Sequence, residues 1–504
     1  MSNSEIELSN FKPSNKQLKE DQATLEDLEF DDYYAEDDSV TKNLNPKLRN
    51  DNPELLNSSD GFATVYHNGE KIILYPLSPR IFLVKFQIAA MFTTFITLGL
   101  NDQATGNLIP VLESEYNVSQ VYVSNIFLIQ TFGYMSSCAL SENIHLKYGQ
   151  FGALVISSLL IVIPSLILFL KVKWFFVYVL CYYPIGLGIG LIDSIVNIVF
   201  GSMLEYKNEL MAVLHGIYGC CSFIAPLLIS RLGPKYWNYF FLLQTTFSGI
   251  GLVACFFAFR NETKNKYEYM MLQNEVNETQ SNDDDQTSTS VEGRILSWKL
   301  VKKYPVIPLY ALALFCYLGS EVGFGSWIYS YLLKYKNGEP KHMAYITSSF
   351  WFGLTVGRFV FGMLITRLFV NEYQAMKFFS KATTLTAALL IPYAVFKATS
   401  IFYFVIFTFI VFSLGAFIGP IFPISSIVAV ELLDANVRLR GISVAISIGS
   451  VGGAILPYAY GIFMKYFGFG WFPTLVTIAT VVFTISIHLY PKFVLGKRDY
   501  FYPT

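Results

Sequence analysis

Charged residues are scarce in this chain. Of its 504 residues only 14% are Asp, Glu, Lys or Arg, against roughly 25% in an average soluble domain. The sequence also lacks the G-x-x-x-x-G-K-[ST] loop that cradles phosphates, any nucleophile elbow and the repeated filter loops of channels. We therefore predict no ATP-driven pump, no enzyme, no cofactor and no nucleic-acid partner, so a gradient must drive any accumulation of solute.

Cysteine is also rare, and no C-x-x-C pair or nearby His gives the spacing of a metal site. All the cysteines lie in apolar stretches, so we predict small buried core residues and no metal ligands. The six are Cys138, Cys181, Cys220, Cys221, Cys255 and Cys316. Residues 1–80 lack the apolar core of a cleaved signal peptide, so the first membrane span is expected to act as its own signal.

Apolar residues dominate the rest of the sequence, with 53% hydrophobic residues, 17% aromatic residues and a mean hydropathy of +0.44. Twelve apolar stretches are long enough to cross a bilayer about 30 Å thick. They lie near residues 85–112, 120–141, 150–171, 174–203, 211–232, 238–259, 305–333, 342–368, 375–397, 400–432, 441–466 and 470–490. The sequence therefore predicts an all-α membrane protein whose transmembrane helices form two six-helix halves.

Polar segments precede and separate the two sets of apolar stretches. Residues 1–80 contain 16 acidic and 8 basic residues and too little apolar surface to order themselves. The predicted domains are a disordered acidic tail (1–80), an N-terminal bundle (81–260), a flexible linker (261–303), a C-terminal bundle (304–490) and a C-terminal tail (491–504). Basic residues are more frequent on the side of both termini, so the positive-inside rule favours cytosolic tails and a cytosolic linker.

Four charged residues fall near the middle of predicted spans: Asp102, Asp193, Glu321 and Arg358. A charge there costs roughly 2.5 to 3.5 kcal/mol on insertion scales, so it should line an interior cavity or be paired. The acids could all be structural partners of Arg358, but one arginine cannot neutralise three carboxylates. An unpaired carboxylate in an apolar interior readily takes up a proton. Asp102 and Asp193 are therefore predicted to couple transport to protons.

Other polar and aromatic residues near these charges are candidates for binding a solute. Asn197 lies one helical turn from Asp193, and an amide beside a carboxylate suits hydroxyl groups. Aromatic faces are typical of sugar sites, although an aromatic-rich chain also places Trp in its core. The predicted substrate-binding residues are Asn101, Gln130, Asn197, Glu321, Trp327, Tyr331, Trp351 and Arg358.

Two short motifs concern cellular handling of the chain. Asn117-Val-Ser119 is a glycosylation acceptor in a loop predicted to face outward. Asp51-Asn-Pro-Glu-Leu-Leu56 fits the acidic dileucine pattern that sorting machinery binds. We predict a multi-pass protein of the plasma membrane, with the vacuolar or endosomal membrane as alternatives.

Four longer stretches carry a resemblance to a known family: NDQATGNLIP (101–110), IDSIVN (192–197), CYLGSEVGFGSWIYSYL (316–332) and FWFGLTVGRFVFG (350–362). They resemble the fucose and glucose/galactose permease group of the major facilitator superfamily and the fungal bypass-of-stop-codon-6-like proteins, over about residues 85–490. The resemblance implies that Asp102 and Asp193 are the proton and substrate acids, with Asn197 as the matching asparagine. The superfamily's gating motif, G-x-x-x-D-R-x-G-R-R, is largely lost in ALSENIHLKYGQFG (139–152).

Together these features predict a secondary active transporter that carries a sugar-like or other polar solute with a proton, or with sodium. Alternating access would come from rocking of residues 81–260 against 300–490. Two alternatives remain open: an uncoupled facilitator or exporter of the same fold, and a nutrient receptor that does not transport. The predicted partners are the solute, the coupling ion, the lipid bilayer and sorting machinery at the N-terminal tail.

Overall fold

The structure, a computed structural model, describes residues 63–281, 304–395, 401–433, 435–494 and 498–502. The elements in chain order are β1 (Ala63–His67), β2 (Glu70–Leu74), α1 (Phe82–Tyr116), α2 (Gln120–Phe169), α3 (Phe175–Gly201), α4 (Lys207–Tyr236), α5 (Tyr239–Ala258), α6 (Lys264–Ser281), α7 (Val306–Lys334), α8 (Pro340–Val356), α9 (Gly362–Leu368), α10 (Glu372–Val395), α11 (Ile401–Ile418), α12 (Ile421–Leu432), α13 (Ala435–Phe467), α14 (Phe472–Phe493) and α15 (Arg498–Phe501). A π-helix, Gly357–Phe361, joins α8 to α9, and a 3-10 turn, Phe469–Trp471, precedes α14. The predicted dileucine motif and residues 282–303 of the predicted linker lie outside the described residues.

Long helices dominate the described ranges, because inside a bilayer a helix satisfies its own backbone hydrogen bonds. Nine of the helices described are long and apolar enough to cross a membrane. The α2 helix covers two predicted spans, which meet at Gly149, where φ of 70° breaks the helical geometry. All twelve predicted stretches are helical, which confirms the predicted all-α class. The number of crossings remains a prediction.

Each half packs around the helices that carry the candidate site residues. In the N-terminal half, residues 77–264, α1 packs against α4 and α5, and α2 packs against α3 and α5. In the C-terminal half, residues 304–502, α7 packs against α13 and α14, and α8 packs against α11. The halves meet through α1 with α7, α2 with α13 and α4 with α8. Side chains from these helices can therefore share one interior.

The two halves touch at several places, and one of them is the end of the bundle where α1 stops. We call the end where α1 begins the near face and the end where α1 stops the far face. At Gly106, in the far part of α1, an added Cβ would lie 2.4 Å from the Cα of Ser326 on α7, so only glycine allows this approach. Polar contacts at the far face join the pairs Glu113–Lys334 (an ion pair), Gln120 Nε2–Gly461 O (2.9 Å) and Ser230 Oγ–Pro340 O (3.2 Å). The far ends of the halves are thus in direct contact.

Two glycines of α3 explain how α2 comes close to Asp193. An added Cβ at Gly186 would lie 1.9 Å from the carbonyl oxygen of Gln130, and one at Gly190 would lie 2.2 Å from Ser137 Oγ. The sequence pattern of these glycines predicts close approach of either a helix or a ligand. The structure shows that the neighbour is a helix, α2.

A second, smaller compact unit consists of the β1–β2 hairpin and most of α6. Asn68 and Gly69 form the turn with φ of 51° and 79°, the two-residue turn that Asn-Gly favours between antiparallel strands. A shared core buries the side chains Val65, Ile72, Leu74 and Tyr269. The structure thus differs from the predicted disordered tail over residues 63–74 and from the predicted flexible linker over 264–281. The reason is that Tyr269 covers apolar strand residues about 200 positions away, which local composition does not reveal.

The described part of the C-terminal tail, residues 491–494 and 498–502, includes a short helix. The short helix α15 folds back on α10, where the Phe501 ring lies 4.8 Å from that of Tyr373 and is only 1% exposed. Asn371 Nδ2 donates to the carbonyl of Tyr500 at 2.6 Å. The aromatic tail residues therefore pack as part of the C-terminal half.

The cysteine prediction holds for three of the residues the structure describes. Cys181, Cys255 and Cys316 are buried, and the described cysteines are free thiols. Cys221 is half-buried, and Cys220 is exposed, which corrects the prediction for that residue. The side chain of Cys138 lies outside the described residues. Cys220 differs because it lies on the outer side of α4, whereas its neighbour faces the packed side.

Candidate functional site

Asp102 lies midway along α1 and accepts hydrogen bonds from two other helices of the N-terminal half. The Gln130 side-chain amide, on α2, donates to Oδ1 at 3.2 Å, and the Tyr218 hydroxyl, on α4, donates to Oδ2 at 2.9 Å. Gln130 is thus brought to the predicted proton site. Both donors are uncharged, so they hold the carboxylate without neutralising it.

Asp193 on α3 has an equivalent environment. The Tyr134 hydroxyl, on α2, donates to Oδ2 at 2.8 Å, and Asn197 Nδ2 donates to Oδ1 at 2.9 Å. Asn197 also donates to the main-chain carbonyl of Asp193 at 2.8 Å, so the i, i+4 spacing brings the predicted pair together. Gln130 and Tyr134 lie one helical turn apart on α2, so Asp102 and Asp193 accept hydrogen bonds from the same face of that helix. The two acids therefore belong to one site.

Glu321 on α7 is held differently. Arg358 Nη2 lies 3.1 Å from Oε1 and 3.4 Å from Oε2 of Glu321, and the Tyr317 hydroxyl donates to Oε2. Arg358 also donates from Nε to the carbonyl of Gly419 at 3.4 Å. The Glu321 side chain is 6% exposed and that of Arg358 is 20% exposed. This is a largely buried ion pair with further hydrogen bonds to Tyr317 and Gly419, and such bonds help to offset the cost of burying the charges.

The π-helix Gly357–Phe361 carries Arg358. An extra residue in one helical turn rotates the side chains after it, and π-turns are frequent at functional sites for this reason. No sequence signal distinguishes this turn from the α-helix on either side. The predicted partnership of Arg358 with an acid therefore depends on local geometry that only the structure reveals.

The three acids in the interior of the bundle thus divide into two kinds. Arg358 neutralises Glu321, and among the residues that the structure describes neither Asp102 nor Asp193 forms an ion pair. This division matches the argument that one arginine cannot neutralise three carboxylates.

Asn101 does not share the environment of its neighbour Asp102. Its side chain is fully buried between α1 and α5, where Gln244 Nε2 donates to Oδ1 at 3.1 Å. One turn away, Ser248 Oγ donates to Thr97 Oγ1 at 3.3 Å. Consecutive residues of a helix point about 100° apart, so Asn101 faces the packing contact. In this conformation Asn101 is a packing residue, and its predicted role in binding solute stays a prediction.

The predicted aromatic residues lie in packed cores. Trp327 is fully buried and donates from Nε1 to the carbonyl of Pro457 at 2.8 Å. Tyr331 is also fully buried, and Trp351 is 1% exposed and packs against Gly325. In this conformation all three are covered by other side chains, and their predicted role in binding solute stays a prediction. They are covered because the high aromatic content fills helix contacts with rings.

Three tyrosines that sequence reasoning missed complete the site. Each of the buried acids accepts a hydrogen bond from one of them: Asp102 from Tyr218, Asp193 from Tyr134 and Glu321 from Tyr317. Tyr317 lies four residues before Glu321, and Tyr134 lies four residues after Gln130, so helical spacing could have flagged both. Tyr218 comes from a distant helix, and no local signal points to it.

The remaining predicted features lie outside this site. Asn117 is exposed at the far face, where its φ of 50° ends α1. Within the part of the chain that the structure describes, no group of three or more His, Cys, Asp or Glu residues could hold a metal ion.

Comparison with known proteins assigns the fold and the class. The family model of the Major Facilitator Superfamily matches residues 91–457. The chain belongs to this superfamily of membrane transporters and is not an enzyme. It is 38% identical to the Saccharomyces cerevisiae protein "Bypass of stop codon protein 6" over 90% of this chain and 92% of that protein. It is 24% identical to "Glucose/mannose transporter GlcP" of Bacillus subtilis over 73% of this chain and 86% of that protein.

Solved structures share the fold at low sequence identity. A D-xylose-proton symporter aligns with a TM-score of 0.61 at 11% identity, covering 82% of this chain and 98% of the symporter. A peptide transporter POT in complex with sulfate aligns with a TM-score of 0.62 at 16% identity, covering 83% of this chain and 97% of that one. Both likenesses concern the fold alone. They and the family match confirm the predicted multi-pass transporter fold.

Proposed function

We propose that this transporter is a symporter that carries a sugar-like solute together with a proton. One observation carries the proposal: Asp102 and Asp193 are held by uncharged donors in the interior of the bundle, while Arg358 is committed to Glu321. Two carboxylates without a cation can take up and release a proton as the transporter changes conformation.

Asp102 is the proposed proton-coupling residue. Its two donors, Gln130 and Tyr218, come from different helices of the N-terminal half. Protonation removes the charge and lowers the cost of closing the site away from water. The proposed cycle is therefore protonation, solute binding, rocking of the halves, and release of both on the other side.

Asp193 with Asn197 is the proposed hydroxyl-binding pair. A carboxylate accepts hydrogen bonds from hydroxyl groups, and an amide both donates and accepts them. The named activity of the Bacillus subtilis relative, glucose/mannose transport, supports a hexose as the solute. Gln130 and Tyr134 lie on the same helix and are proposed to complete the polar lining.

We propose that the near face is cytosolic and that the protein resides in the plasma membrane. Basic residues near the ends of α1, α5 and α9 support this orientation by the positive-inside rule. They include Arg80, Lys85, Arg260 and Arg367. The far face, with the proposed glycosylation site Asn117, would then lie outside the cytosol.

Uptake into proteoliposomes tests the symport. The full-length protein should accumulate labelled fucose, glucose or galactose when the outside is made acidic, and Asp102→Asn should lower that accumulation at least about tenfold. Glu115→Gln, also on α1 but exposed at the far face, is the matched control and should accumulate as the parent does.

The two other functions predicted from the sequence give different results. Hexose flux that does not respond to the pH gradient would contradict proton coupling and favour an uncoupled facilitator, and a response to a sodium gradient would identify sodium as the coupling ion. Absence of flux for all three hexoses would contradict the sugar assignment and favour a receptor.

A further inference from the structure

Tyr218 occupies a junction between the two halves. On one side α4 packs on α1 so closely that an added Cβ at Gly99 would lie 2.5 Å from the carbonyl oxygen of Tyr218. The neighbouring Ser222 Oγ donates to the carbonyl of Gly99 at 3.3 Å. The Tyr218 main chain is thus fixed against the helix that carries Asp102.

On its other side α4 packs against α8 and the π-helix of the C-terminal half. An added Cβ at Gly216 would lie 2.6 Å from the ring of Phe359, and one at Gly219 would lie 2.3 Å from Thr355 Oγ1. Gly216 and Gly219 lie on either side of Tyr218 in sequence. The residues that they contact, Phe359 and Thr355, lie on either side of Arg358. Tyr218 and Arg358 therefore stand beside the same contact between the halves.

The surroundings of the Tyr218 hydroxyl follow from this position. It donates to Asp102 at 2.9 Å, and the glycines on either side of Tyr218 pack against residues on either side of Arg358, the partner of Glu321. One phenol thus lies between the unpaired acid of the N-terminal half and the ion pair of the C-terminal half.

We propose that Tyr218 is a positioning residue that transmits the charge state of Asp102 to the Glu321–Arg358 pair across the interface between the halves. While Asp102 is ionised, its charge-assisted hydrogen bond holds the hydroxyl on the N-terminal half. When Asp102 is protonated, that bond weakens and the hydroxyl is free to turn toward Glu321 and Arg358. Contact between the halves at α4 and α8 then depends on protonation. This inference rests on the proposed proton coupling.

The test compares two transport measurements on the full-length protein in proteoliposomes. Tyr218→Phe should lower pH-driven accumulation of the labelled hexose about tenfold, but lower equilibrium exchange of the same hexose at most about threefold. Equilibrium exchange requires only that the solute-loaded transporter changes conformation. Accumulation also requires that the proton controls this conformational change. Tyr116→Phe is the matched control, because its hydroxyl donates to the carbonyl of Val172 at the far face, and it should change neither measurement.

A double variant tests whether Tyr218 acts through Asp102. Adding Tyr218→Phe to Asp102→Asn should change exchange no further than Asp102→Asn alone, since coupled residues give non-additive effects. Equal loss of exchange and accumulation in Tyr218→Phe, or full additivity in the double variant, would overturn the inference.

The outcomes separate this inference from the proposed function. If the unaltered protein shows no accumulation driven by the pH gradient, proton coupling is overturned and the inference falls with it. If the unaltered protein accumulates hexose and Tyr218→Phe does so equally well, only the role of Tyr218 is overturned.

Discussion

The two halves of this transporter hold their membrane-embedded acids in opposite ways. In the N-terminal half Asp102 and Asp193 accept hydrogen bonds from tyrosine and amide side chains. In the C-terminal half Glu321 is paired with Arg358, which also reaches the carbonyl of Gly419. Each acid has a tyrosine partner, so the difference between the halves is the presence of a cation.

A cation decides whether a buried carboxylate can change its charge. Protonating the acid of a buried ion pair leaves the arginine uncompensated, which costs several kcal/mol. When an acid held by neutral donors is protonated, no cation is left without a counter-charge. Under the proposed proton coupling, the N-terminal half would therefore supply the groups that change charge, while the C-terminal half would keep a fixed ion pair.

The largest expected effect comes from breaking the fixed pair. Arg358→Ala leaves the 6% exposed Glu321 side chain without its cation and should lower the free energy of unfolding by about 3 to 5 kcal/mol. Thermal melting of the purified protein in detergent measures the loss. Removing both charges in Glu321→Gln/Arg358→Gln should restore most of the stability, and a double variant as unstable as Arg358→Ala would contradict the comparison.

A smaller effect is expected from the unpaired acid that is proposed to bind solute. Asp193→Asn keeps the size of the side chain but removes the negative charge of the group that accepts hydrogen bonds from Tyr134 and Asn197. Because the proposed hydroxyl-binding pair then loses its carboxylate, the KM for hexose should rise about tenfold. Because no cation is left behind, the melting temperature should change little. Concentration-dependent uptake measures KM, with Glu115→Gln as the control. An unchanged KM would show that Asp193 does not bind solute.

The smallest effect concerns an ion pair that joins the two halves. Lys334 and Glu113 meet at the far face, with side chains 32% and 17% exposed, and a partly exposed pair of this kind contributes below about 1 kcal/mol. Lys334→Glu should therefore change hexose exchange by at most about fivefold. The reversed pair Glu113→Lys/Lys334→Glu should exchange as the parent does. If the reversed pair is as impaired as Lys334→Glu, attraction between these charges does not help to close the far face.

Predictions from the sequence agree with the structure where a residue and its partner lie on one helix, or where amino-acid composition alone determines the feature. The spans, the pairing of Asp193 with Asn197 and the shortage of cations for three acids all follow from local spacing or counting. Asn101 shows the limit, because it is adjacent to Asp102 in sequence and yet faces Gln244 on α5. Trp327 shows another, because its indole donates to Pro457 on α13 and no pattern in α7 indicates that contact.

By itself, the sequence determined that this chain spans a membrane and carries more buried acid than it can neutralise, because apolar length and the cost of buried charge are local properties. Only the tertiary structure decided which acid Arg358 neutralises and that Tyr218, on α4, donates a hydrogen bond to Asp102. Those partners are brought together by helix packing between segments more than 30 residues apart, and the direction in which each side chain points depends on that packing.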